Sequence, residues 1–151
     1  MRLKLFLKVI VSAIVPLAFS AGCSPVAEDQ MEIELRDAEM AVAQGDMTTA
    51  KSIASHISNG KNFSGLSARQ LGRLSLVYMH LADSVDQPEN VGAATECYRQ
   101  AFETNADSAT KFYSEVGPEH TGHAVMLGAI VRSLDTPSDS TLMEHEEPDS
   151  I

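Results

Sequence analysis

Apolar positions recur along most of this chain at spacings of three and four, the signature of one helix face turned to a core. Met31, Leu35, Ala38 and Val42 open the pattern. Gln44-Gly45-Asp46 interrupts it, with Gly45 as a helix stop and Asp46 as the next N-cap. A second helix to about Ile57 puts Ala50, Ile53, Ala54 and Ile57 on one face, and residues 58–65 are rich in turn formers. Ser67 caps a third helix, whose stripe is Leu71, Leu74, Tyr78, Leu81 and Val85. Pro88 suits the first turn of a fourth, with Val91, Ala94, Tyr98, Ala101 and Phe102. Residues 104–108, Thr-Asn-Ala-Asp-Ser, read as a turn and cap before a short helix with Ala109, Phe112, Tyr113 and Val116. Gly117-Pro118 then separates a last helix, with Ala124, Leu127, Val131 and Leu134 on one face.

The two ends do not follow this pattern. Residues 1–8 carry three basic residues and no acid, Val9 to Phe19 is apolar, and Ser20-Ala21-Gly22 is a small-residue exit. These are the three regions of an export signal, and a run of eleven residues is too short to span a bilayer, which takes about 20. A short membrane anchor is the other reading. After Cys23, residues 23–30 read as a polar tether. Residues 135–151 hold six acids and no Lys or Arg, without periodicity, and are expected to be a disordered acidic tail. The fold therefore falls on residues 31–134.

Composition narrows the class. With 151 residues, no Trp and 5% aromatic residues, the core must be built from Ala, Leu, Val, Ile and Met, which points to an all-α domain. The formal charge of −10 speaks against nucleic acid as a partner, because phosphate binding needs clustered Lys and Arg. Losing residues 1–22 would remove three cations and leave 8 basic against 21 acidic residues, a charge of −13. Such a surface favours a basic or neutral partner and salt-dependent association. Cys97 lies between apolar neighbours in a helical pattern and reads as a buried thiol, with no internal disulfide.

Ser20-Ala21-Gly22-Cys23 resembles the lipobox of bacterial lipoproteins, although Ser20 stands where that family usually has Leu, Val or Ile. The resemblance implies cleavage before Cys23 and acylation (palmitate or a related chain) on its sulfur and new amino group. It implies a cell-envelope protein held to a membrane, and Ser24 after the cysteine favours the outer membrane of a Gram-negative bacterium. The alternative is ordinary cleavage nearby, with Cys23 left as a free thiol.

Ala38-x-x-Ala41-x-x-x-Gly45-Asp46-x-x-x-Ala50 resembles the middle of a tetratricopeptide repeat. Ala94-x-x-x-Tyr98-x-x-Ala101 resembles the second helix of another, with Ala106 in place of the terminal proline. Leu74 and Tyr78 fit the preceding helix, where Ser75 replaces the usual Gly. Ala50 and Ala94 are 44 apart against a repeat of about 34, so two divergent units over residues 31–106 are expected. The resemblance implies antiparallel hairpins in a right-handed solenoid; a small helical bundle is the alternative. It also implies a groove for a protein or peptide, with Arg69, Arg73 and His80 as the expected binding residues. Asp83-Ser84-Val85, Asp107-Ser108-Ala109, Asp139-Ser140-Thr141 and Asp149-Ser150-Ile151 resemble O-glycosylation acceptors of exported Bacteroidota proteins.

Catalytic motifs are missing: there is no Gly-x-Ser-x-Gly, phosphate loop, His-Glu-x-x-His or dinucleotide fingerprint, so neither an enzyme nor a cofactor is expected. His120 and His123 sit three apart beside Glu119, but a metal needs a third or fourth ligand and the adjacent sequence offers none. No metal site is expected, and the pair reads as exposed. A small-molecule or carbohydrate-binding accessory lipoprotein of an uptake system is the rival to protein binding, disfavoured by the scarcity of aromatic platforms.

Overall fold

The computed structural model describes the backbone of residues 25–135 and the side chains of residues 30–135. Residues 1–24, with the expected export signal and Cys23, and residues 136–151 of the expected acidic tail lie outside the described residues. Within them the chain is all-α: α1 Pro25–Ala43, α2 Met47–Asn59, a single 3-10 turn at Phe63–Gly65, α3 Ala68–Ala82, α4 Gln87–Ser114 and α5 Pro118–Asp135. None of these helices is long and apolar enough to cross a membrane.

Local chemistry sets the boundaries. Gly45 takes φ +74°, which an L side chain rarely adopts, and turns the chain out of α1. Asp46 then caps α2: its carboxylate accepts from the Thr49 amide at 3.0 Å and the Thr49 hydroxyl at 2.7 Å. Ser67 and Gln70 form a full capping box on α3. Pro88 sits in the first turn of α4. The turn and cap expected at 104–108 take the form of a break within α4. Asn105 leaves the helical region and its Oδ1 caps the following segment by accepting from the Ser108 amide at 2.8 Å, so α4 bends there and continues.

Two boundaries differ from expectation. Helix α1 begins at Pro25, so residues 25–30 belong to it instead of to a tether. Proline at a first helical position is preorganised for a helix start. Val85 lies past the end of α3 and is 39% exposed, because the helix stops at Ala82.

Helix α3 is the axis of the packing. It touches α1, α2, α4 and α5, whereas α1 and α2 make no backbone contact with α4 or α5 among the described residues. Its expected stripe of Leu71, Leu74, Tyr78 and Leu81 is buried, but so are Leu76, Val77 and Met79 on the other side. Ala38, Ala41, Ala50, Ala94 and Ala101 are buried too, and their small side chains let neighbouring helices approach. Gly72 has the same use: a Cβ there would meet the Phe112 ring at 2.5 Å. Each large apolar side chain withdrawn from water contributes about 1.5–3 kcal/mol, so α3 alone supplies much of the drive to fold. Because α1 and α4–α5 flank α3 without meeting, a trough is left along its exposed edge.

Candidate functional site

That trough is a cavity of about 650 Å³. Val42 of α1, Leu76 and Val77 of α3, and Phe112 and Val116 beyond the α4 break make it largely apolar. Arg69, Arg73 and His80 all line it, so the three binding residues expected from sequence share one wall. They do so because positions 69, 73, 76, 77 and 80 fall on one side of a helix with 3.6 residues per turn.

The two arginines differ. Arg73 is tied down: its Nε and Nη2 donate to the Glu39 carboxylate at 2.7 and 2.8 Å, and Nη1 donates to Glu32. These bonds, Glu39 first, raise its proton affinity above the ordinary guanidinium value against the opposing effect of burial. The bidentate geometry fixes α1 against α3 at the groove wall. Arg69, one turn earlier, is exposed and makes no hydrogen bond or ion pair among the described residues. It is the cation the groove leaves available.

At the α5 end the wall becomes a histidine cluster. His80 Nε2 is 3.0 Å from His120 Nδ1, and the His80 ring stands edge-on to both His120 and His123, with centroids 5.1 and 4.4 Å apart. His123 Nε2 lies 2.9 Å from Asp83 Oδ2, and its Nδ1 is buried with no hydrogen-bond partner among the described residues. Glu119 Oε1 is 3.6 Å from His120 Nε2. Burial, then the neighbouring His123 and His120, lower the proton affinity of His80 and keep it neutral near pH 7. His120 and His123 are therefore half-buried, not exposed as expected, because α5 packs its first turns on the end of α3. The donors that neighbouring sequence does not supply come from α3, forty residues upstream. The signal was present as two pairs of equal spacing, His80-x-x-Asp83 and His120-x-x-His123, each on one helix face.

Other singled-out residues lie elsewhere. Cys97 is buried in the core, and desolvation, with Glu96 adding to it, pushes its thiol up to about 12, which makes it a packing residue. Ser75 is fully buried; its hydroxyl donates to the Gly72 carbonyl at 2.6 Å and pairs with the Tyr113 hydroxyl at 2.7 Å, joining α3 to the segment after the break. Ser84 and Ser108 are exposed, and Ser140 and Ser150 lie outside the described residues. No family model, curated protein or solved structure matches this chain.

Proposed function

We propose that the protein is a bacterial envelope lipoprotein, anchored through acylated Cys23, whose helical domain holds a segment of another envelope protein in the groove beside α3. The observation that carries the reading is the groove itself: an apolar floor of Leu76, Val77 and Phe112 with the unpaired Arg69 guanidinium at its rim. An extended or helical segment with apolar side chains and one carboxylate would satisfy both features. The high net negative charge steers from a distance, whereas Arg69 selects at contact. The neighbour-to-neighbour contact order, α1–α2–α3–α4–α5 with α1–α3 and α3–α5, supports the tetratricopeptide-like reading over a closed bundle.

A photo-reactive residue at exposed Ala43, on the groove, tests this in cells. One discrete adduct with an envelope protein is expected, lost in Arg69→Glu and not formed from exposed Thr110, which lies off the groove. Mass spectrometry of the N-terminus should find acylated Cys23, and an unacylated mature chain would remove the anchor. The cavity volume also falls within the roughly 300–1,000 Å³ of small-molecule sites. A sugar or metabolite that raises the melting temperature, with no protein adduct, would favour the uptake-accessory reading.

A further inference from the structure

We propose that His80, Asp83, His120 and His123 form a binding site for one divalent transition-metal ion of the zinc type. The donor atoms of His80, Asp83 and His123 lie within 4.8 Å of one another. His120 lies outside that set but beside it, with Nδ1 3.0 Å from His80 Nε2, and would complete the shell as fourth ligand by closing on the ion. Zinc bonds to imidazole nitrogen of about 2.0–2.1 Å put tetrahedral ligand atoms roughly 3.3 Å apart. The 3.0 Å and 2.9 Å separations between the two donor pairs are already close to that edge. Three imidazoles and one carboxylate suit zinc and its neighbours, whereas magnesium and calcium prefer all-oxygen shells.

Two further observations favour an ion over a chance cluster. Glu119 stands 3.6 Å behind His120 on the ring nitrogen away from His80, the place of the carboxylate that orients a metal-bound histidine. His80 stands on α3, Asp83 caps its C-terminal end, and His120 and His123 share a face of α5, so the ion's geometry is set largely by how α3 packs on α5. A bound ion would clamp the last helix to the axis of the fold at the α5 end of the groove. The site does not depend on what occupies that groove.

The test uses the full-length chain in detergent, stripped of metal. Calorimetry with Zn²⁺ should give one ion per chain, Co²⁺ should develop the visible absorption of a histidine-bound ion, and Ca²⁺ should compete with neither. The melting temperature should climb with Zn²⁺ concentration, because the ion binds the folded state. His80→Gln and His123→Gln should each weaken Zn²⁺ roughly tenfold or more. His56→Gln, outside the cluster, should leave affinity unchanged. Should the histidine variants fold poorly by circular dichroism, Asp83→Asn takes their place: Asp83 is 63% exposed, so the fold survives and Zn²⁺ affinity should still drop. No Zn²⁺ binding by the wild type, or binding unaltered in folded cluster variants, would overturn the proposal.

Discussion

Helices α3 and α5 are both rich in Leu, Val, Ala and Met, yet they end in opposite environments. Eleven of the 15 residues of α3 are buried, on every side of the helix. In α5 only Leu127 is, while Val125, Met126 and Leu134 are 65, 51 and 62% exposed. Local periodicity is clear in each. The difference comes from place in the array: α3 has helices around all but the edge that lines the trough, whereas α5 packs on one side and has no helix beyond it among the described residues. Apolar spacing thus predicts which residues can face a core, and the order of packing decides how many do.

The largest test of that contrast is paired truncation. Leu74→Ala in α3 should cost about 2–5 kcal/mol in chemical unfolding, through lost transfer energy and the cavity left behind. Leu134→Ala in α5 should stay within about 0.5 kcal/mol, as for surface positions. Equal losses would mean that α5 is as central as α3. Next comes the polar contact inside the α3 core. Ser75→Ala should lose about 1–3 kcal/mol by stranding the Tyr113 hydroxyl, and Tyr113→Phe in the same chain should recover part of it. A strictly additive double-mutant cycle would show that this bond is not formed in solution.

The Arg73 fork sharpens the comparison at the groove wall. Arg73→Met should cost roughly 1.5 kcal/mol, the low end for charge-assisted bonds, because the Glu39 side chain is 40% exposed. Hydrogen exchange should then rise in α1 before α5; the reverse order would place the strain at the wrong end. The smallest effect is alkaline. The Cys97 thiol moves from its ordinary 9.0 up to about 12, so the unfolded chain gives up that proton first. Its contribution to stability is whole below pH 9 and is lost as pH rises toward 12. By about pH 10 the loss should be about 1 kcal/mol, and Cys97→Ala should flatten the decline.

How much of this was legible in the chain follows from how local each feature is. Asp46, Gly45, Ser67 and Pro88 marked their helix ends correctly because capping is decided within three or four residues. Pro25 carries the same kind of signal for α1, obscured by the polar residues that follow it. The groove wall was legible as well: Arg69, Arg73 and His80 share a helix side, which spacing alone gives. What could not be read was the meeting of His80 and Asp83 with His120 and His123, since forty residues and two helix packings separate the pairs. Burial of Leu76, Val77 and Met79 was hidden for a related reason, as a stripe analysis assumes that one face of a helix stays wet.

Gly72 has a consequence for how such a groove could be retuned. It lies buried behind the wall and touches nothing that enters the trough, but the Phe112 ring rests where its side chain would be. Any larger residue at 72 must displace that ring, which itself lines the trough. The bore of the groove is therefore gauged from the back, by a position that a survey of its lining would pass over.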